Sequence, residues 1–301
     1  MTAAMRDWQD VLRNASQGRT EAIENVIAPV DESELSKRAL PAARLLAELY
    51  RATLHVAYTG KKPLALRQPL QELGLNAEEM RGAVLHQLPG EPAQAILEKT
   101  RQLASPLLVM STQTCAQQND VALGLLAEAV LEGVPQRVVL VPPEFAAEQW
   151  ELHKILLAHD GTPTADLAIA PAAHLAHRAG AEVIALHVAA RTAGQPEEGS
   201  LPAPRYVDQP QHEWPSWANE FLERMMALGA APSALNFKLL VTGGQPGSEV
   251  AQFARDKGVD LVALAWQGRL DEQRGGTLKV IVRRAGCPVL LVGPAPARTS
   301  A

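Results

Sequence analysis

Cysteine is nearly absent from this chain: Cys115 and Cys287 stand far apart, in no C-x-x-C or Cys/His metal spacing. That excludes a disulfide framework and a zinc site with the usual ligand spacing, and leaves two reduced thiols. Long apolar runs are also lacking, and the segment from Met1 to Thr20 carries Arg6, Asp7, Asp10, Arg13 and Arg19 where a secretory signal would have an apolar core. A cytoplasmic protein with no membrane partner is the expectation. No run of five like charges occurs and the net charge is −5, so a nucleic-acid surface or polybasic membrane patch has no compositional support. No Ser or Cys nucleophile motif accompanies His55 or His187 late in their strands. His174 and His177 share a helix face without a visible third ligand, so no metal site is expected there.

What is present is apolar patterning on a scale for two domains: 301 residues, 47% of them hydrophobic. Val26–Val30, Thr53–Tyr58, Ala83–Leu88, Leu107–Met110 and Val138–Val141 read as buried strands. Between them run helical patterns, among them Leu35 to Leu49, Pro92 to about Ala104, and Val121 to Glu132. The same grammar restarts after Pro142-Pro143, with strands at Ile155–His159, Glu182–Val188, Phe237–Val241, Leu261 onward and Val289–Val292. A short amphipathic helix is expected over Asp7–Asn14, and the Pro/Gly/Glu-rich stretch from Arg191 to Pro215 reads as a surface excursion.

The halves are copies. Gly90-x-Pro92 matches Gly244-x-Pro246 and Met110 matches Leu264 at an offset of 154, while Asp31 matches Asp160 at an offset of 129. A repeat of about 150 residues means duplicated domains, since solenoid units are far shorter. Each copy reads β-α-β-α-β-α-β-α-β, the grammar of a doubly wound parallel sheet, in which ligands bind beyond the carboxyl ends of strands where strand order reverses. If the first and fourth strands flank that point, Asp160 meets the loop from Trp266 to Thr277, and Asp31 meets Ser111 to Gly124.

The stretch after Asp260 carries the chemistry. An apolar run opens into a glycine-containing loop closing on Thr277, an N-cap type residue before Leu278. Strand, loop and helix start are what an anion needs, because unpaired amides and the helix dipole attract it and glycine allows close approach.

Ile27 to Leu40, Leu125 to Leu131 with Val138 to Pro142, Ile155-Leu-Leu-Ala-His-Asp-Gly161 and Cys287-Pro-Val-Leu-Leu-Val292 resemble the universal stress protein family, in the arrangement of its tandem members. The resemblance implies two doubly wound five-stranded parallel-sheet α/β domains of the adenine nucleotide alpha hydrolase-like type. It divides the chain into a helical extension over 1–22, domains over 23–143 and 153–294, a linker over 144–152 and a tail over 295–301. ATP-binding members carry G-x-x-G, nine residues and G-[S/T] after the fourth strand. Carried over to this sequence, the resemblance implies nucleotide contacts at Asp160, Val188, Gly268, Gly275, Gly276 and Thr277. Ala265 replaces the first glycine, and seven residues separate Gly268 from Gly276, or six if Gly275 is the equivalent. The first copy keeps the spacing but not the chemistry: Ser111-x-x-Thr114, nine residues, then Gly124-Leu125. Asp31, Val56 and Gly124 are its weaker equivalents, and that copy is expected to bind nucleotide poorly.

Two functions follow. One is a stress-response protein that binds ATP or another adenine nucleotide, with Mg, through its second copy and with little or no catalysis; weak nucleotide hydrolysis is the less favoured variant, because only Asp160 is an obvious metal carboxylate. The other is a nucleotide-free interaction module in which the short apolar strands Val138–Val141 and Val289–Val292 pair, removing two exposed edges, or serve a homodimer.

Overall fold

The computed structural model describes residues 23–60, 64, 73–75, 80–113, 123–133, 137–145, 150–189, 199–201, 213–229, 237–266 and 274–294. The helix expected over Asp7–Asn14 lies outside them, as do Thr114, Cys115 and Gly268. The first copy runs β1 (Asn25–Val30), α1 (Glu34–Lys37), α2 (Leu40–Tyr50), β2 (Thr53–Tyr58), β3 (Val84–Gln87), α3 (Pro92–Gln102), β4 (Pro106–Ser111), α4 (Leu125–Gly133) and β5 (Arg137–Val141). The second runs β6 (Lys154–Ala158), a short 3-10 helix (Ala165–Ala168), α5 (Ile169–Ala179), β7 (Glu182–Ala189), α6 (Glu213–Gly229), β8 (Phe237–Gly243), α7 (Pro246–Asp256), β9 (Leu261–Ala265), α8 (Arg274–Arg284) and β10 (Val289–Val292).

Two compact units emerge. The described residues from Leu152 to Ala265 form one; those from Ala22 to Glu151 form the other together with those from Trp266 onward. In the first-copy unit the strand order is β3-β2-β1-β4-β5-β10, and in the second-copy unit it is β9-β6-β7-β8. Every neighbouring pair within each unit is parallel except β5 with β10. The α/β doubly wound expectation holds, with one change: the fifth strand of the second copy lies antiparallel beside the fifth strand of the first. Central strands are buried almost throughout, with Val26, Ile27, Ala28, Leu108, Val109, Val139 and Leu140 at 0% exposure. That is why they read as continuous apolar runs rather than alternating ones. The outermost strand β8 alternates half-buried and exposed residues, as an edge does.

Local sequence explains where helices break. The pattern from Leu35 to Leu49 suggests one helix, but Pro41 lacks an amide hydrogen and its ring conflicts with the preceding turn. The segment therefore splits into α1 and α2, with Pro41 in the first turn of the second. At the other end Arg51 adopts a left-handed conformation (φ 55°), and its amide donates to Ala47 and Glu48 carbonyls. Gly180 (φ 69°) ends α5 in the same way, at no Cβ cost. α8 starts at Arg274, earlier than the N-cap reading of Thr277 requires; Gly275, Gly276 and Thr277 occupy its first turn instead.

The β5–β10 ladder pairs Leu140 with Val289, Val139 with Leu290, Val138 with Leu291 and Arg137 with Val292. This is the strand pairing expected from sequence, made within one chain. With β4 on its other side, β5 has no free edge left for a second molecule. Contacts around the ladder extend it: the Trp266 amide donates to the Val292 carbonyl at 2.8 Å, its indole N–H to Leu131 at 3.4 Å, and Lys279 pairs with Glu128 at 2.7 Å. Leu291, at 0% exposure, is the most enclosed leucine of β10. Leu291→Ala should lower the unfolding free energy by about 2–5 kcal/mol in urea titrations. Leu240→Ala on β8, where the side chain is 41% exposed, should cost under about 1 kcal/mol.

Candidate functional site

Each copy ends its first strand in the same local device. Asp31 Oδ1 accepts from the Ser33 amide at 2.8 Å and its hydroxyl at 2.5 Å; Ser33 Oγ then accepts from the Ser36 amide at 3.2 Å and caps α1. In the second copy Asp160 Oδ1 accepts from the Thr162 amide at 3.0 Å and its hydroxyl at 2.6 Å, and Thr162 Oγ1 accepts from the Ala165 amide at 3.2 Å. The motif D-x-[S/T] folds this way because a short carboxylate reaches the amide two residues on. Both aspartates are therefore turn-forming residues first.

Their surroundings differ. In the first copy Asp31 is half-buried beside Pro29, Val30, Ser36, Thr59, Met110, Ser111 and Leu126, which enclose a recess of only ≈ 10 Å³. That is room for about one water. Ser111 is buried and its hydroxyl donates to the Gln113 carbonyl at 2.8 Å. The Gly124 amide donates to the Thr112 carbonyl at 2.7 Å, and a Cβ on Gly124 would lie 3.2 Å from that oxygen. A backbone donor that a phosphate would need is thus already paired.

The first-copy nucleoside edge expected at Val56 needs correcting. Val56 is mid-strand, in register with Ala28 and Leu85, and fully buried. Val30 pairs with Tyr58 and Ala158 with Leu186, so Thr59 stands beside Asp31 in the first copy where Val188 stands beside Asp160 in the second. By the same register Tyr58, not His55, corresponds to His187. His55 instead meets His86 of β3, and both imidazoles are shifted down from their ordinary pKa, mainly by burial.

In the second-copy unit β6 lies between β7 and β9, so the reversal of strand order falls at its carboxyl end. Asp160 is exposed there, no described residue bonds its Oδ2, and Val188 is the next-to-last residue of β7. Beneath the turn runs a network that sequence reading missed. The Gly161 amide donates to His159 Nδ1 at 3.0 Å, so His159 carries its hydrogen on Nε2 and gives it to Asp166 Oδ1 at 3.1 Å. Arg224 of α6 pairs with the other oxygen of Asp166 and donates to the Gly199 carbonyl at 3.1 Å. Leu201 donates to Gly161 at 2.8 Å and accepts from the Trp217 indole at 3.3 Å, which ties residues 199–201 over the turn. Trp217 and Phe221 pack edge-on against His187, and Phe221 against His159. The available sequence signal was an arginine among the apolar positions of α6. Gly275, Gly276 and Thr277 belong to the other unit, where a Cβ on Gly276 would meet open space. Trp266 is buried in that unit too.

Residues 151–293 match the model of the Universal stress protein family. Over that segment, its second copy, the chain carries a universal stress protein domain. Its second half is 28% identical over 146 residues to the universal stress protein YxiE of Bacillus subtilis strain 168, spanning 46% of this chain and 98% of that protein. Over the full length the fold is that of tandem universal stress proteins. A protein of Pseudomonas aeruginosa UCBPP-PA14 described as one superimposes with a TM-score of 0.62 at 17% identity, covering 91% of this chain and 94% of that one. A functionally unknown protein of Pseudomonas aeruginosa PAO1 does so with a TM-score of 0.65 at 18% identity, covering 93% and 95%. At those identities the likeness is one of fold. Among the described residues no helix is long and apolar enough to cross a membrane.

Two consequences of the turn can be measured in this chain. Burial lowers the His187 pKa below its ordinary 6.5, although the bond to the His159 carbonyl and the field of Asp160 raise it and His159 opposes it electrostatically. The unfolded chain then takes up this proton before the folded one does, so stability present above pH 6.5 should decline as the pH falls toward the folded-state value. His187→Phe should flatten that decline in denaturant titrations between neutral and mildly acidic pH. Gly161 has φ +82°, and a Cβ there would sit 2.5 Å from the Leu201 carbonyl oxygen. Gly161→Ala should therefore cost at least about 1 kcal/mol of unfolding free energy, whereas Gly180→Ala, with open space around it, should cost less.

Proposed function

We propose that this chain is a stress-response protein that binds an adenine nucleotide through its second copy, with little or no turnover. The observation that carries the reading is a contrast: the same aspartate turn sits over a one-water recess in the first copy and is exposed in the second. An exposed carboxylate with one oxygen held by Thr162 and the other facing solvent suits the hydroxyls of a ribose or the amine of a base. Val188, near the end of β7, supplies a backbone group to that nucleoside edge. Gly268, Gly275, Gly276 and Thr277 are the phosphate contacts that the resemblance implies, and that assignment is tested separately from the Asp160 half. ATP, ADP and AMP share the nucleoside chemistry, and Mg would enter with the phosphates. Asp160 is the residue present for a metal carboxylate, and its Oδ1 is already committed to the turn. That supports binding over hydrolysis.

The second reading is a nucleotide-free interaction module, favoured by the β5–β10 ladder through which the chain supplies its own strand partner. Denaturing purified protein and assaying released nucleotide, then titrating ATP, ADP and AMP with Mg by calorimetry, separates the two. Asp160→Asn keeps the turn acceptor but removes the charge, and should weaken nucleotide binding about tenfold. Asp31→Asn should change it less than about twofold. Gly276→Val should weaken ATP more than AMP if the phosphate assignment is right. An absence of bound or titratable nucleotide in the unmodified protein would falsify the binding reading and leave the interaction module.

A further inference from the structure

Away from the strand-end turns, the edge strand of the first-copy unit is fastened to its neighbour by two imidazoles. β3 has β2 alone beside it in the sheet, and its 4 residues are half-buried or exposed, so its attachment is the weakest of that sheet. His55 of β2 is in register with Val84 of β3, and His86 lies two residues further along, which makes the side chains diagonal neighbours on one face. His55 Nδ1 stands 2.8 Å from His86 Nε2. Asn25 decides which ring donates. Its amide Nδ2 donates to the Ala104 carbonyl at 2.6 Å, which turns its oxygen toward His55 Nε2, 2.9 Å away. An amide oxygen only accepts, so His55 Nε2 bears the hydrogen, and His55 Nδ1 accepts from His86 Nε2–H.

The protons that this pair can take up are therefore unequal. The first goes to His86 Nδ1, which no described residue bonds, and leaves the bond between the rings in place. The second can go only to His55 Nδ1, the acceptor itself. It removes the bond and sets two imidazolium rings against each other. Among the described residues neither ring has a carboxylate partner, and Lys99 of α3 acts on both with the same sign as the added protons. The other charges on the elements around the pair are committed elsewhere. Glu91 and Glu98 of α3 accept from Gln94, Arg101 donates to the Gly133 carbonyl, and Arg44 of α2 donates to the Arg81 carbonyl. Glu24 and Glu48 are exposed, and β1 meets the rings with the uncharged Asn25.

We propose that the His55–His86 bond is an acid-sensitive latch: protonation of both rings releases β3 from β2 while the rest of that sheet stays folded. The released strand takes both protons freely. In the closed sheet burial above all, with Lys99 adding to it, holds both imidazoles below their ordinary 6.5. Attachment is thus fully present above pH 6.5 and declines as the pH falls toward the folded-state values. β1 and β4 carry no titratable side chain, so acid leaves their ladder alone.

The test is amide hydrogen exchange on the full chain, corrected for the intrinsic pH dependence of exchange. The reporter is Leu88, just beyond β3, whose amide donates to the Tyr58 carbonyl at 2.9 Å. Its protection and that of β3 should fall at least about tenfold between neutral pH and about pH 5, with β1 and β4 unchanged. His86→Gln keeps an N–H for His55 but no longer titrates, and should cut that loss to about threefold. Lys99→Gln removes repulsion from the protonated pair and should also shrink it. The acid response of His187 arises in the other unit and does not enter a readout confined to β3. Protection of β3 that is indifferent to pH, an undiminished acid loss in either variant, or equal loss across β1 and β4 would overturn the latch.

Discussion

The antiparallel ladder between β5 and β10 is the constraint on which this architecture rests. All other strand pairs within the two units are parallel, and parallel strands need long crossovers and cover on both faces. A fifth strand left at the edge of such a set would expose apolar residues and a row of unpaired amides. Here the apolar ends of the two copies satisfy each other, with Leu290 and Leu291 set against Val139 and Val138. The last helix follows its strand: α8 meets α4 through Lys279 and Glu128, and Trp266 reaches the Leu131 carbonyl. The duplication is thereby a mechanical part of the fold.

Within that frame, equivalent turns have come to different ends. Asp31 and Asp160 make the same bonds to a hydroxyl residue two positions on, because the local sequence is the same in kind. The first copy leaves little space above its turn: the buried Ser111 bonds to the Gln113 carbonyl, and the Gly124 amide bonds to Thr112. The second copy kept its carboxylate in solvent and built a support beneath it, from His159 through Asp166 to Arg224. A half-buried carboxylate with one oxygen on an arginine and the other on a histidine hydrogen has a partner for each oxygen, and that holds α6 and residues 199–201 in one arrangement around Gly161.

Much of this was legible from residues alone. Buried parallel strands announce themselves as apolar runs, and D-x-[S/T] at a strand end announces its turn, since both depend on contacts within a few residues. The split between α1 and α2 was also written locally, in Pro41, and a count of apolar spacing passed over it. Register was harder. The offset of 129 that matches Asp31 to Asp160 also matches Thr59 to Val188, so reading Val56 as the equivalent slips the strand end by three residues. The register agrees: Tyr58 pairs with Val30 and Leu186 with Ala158, which puts Thr59 beside Asp31 and Val188 beside Asp160. Asp166 and Arg224 are 58 positions apart, and no local rule links them.

What the amino-acid sequence determined by itself was the alternation of strands and helices, the doubled unit and the two aspartate turns. Each follows from propensity, periodicity or bonds spanning a handful of residues. The tertiary structure alone decided that the final strand of one copy completes the sheet of the other, that one turn is sealed while its counterpart faces water, and that His55 points its bare nitrogen at His86. Those outcomes depend on which distant segments become neighbours, and burial and hydrogen-bond direction exist only once they have.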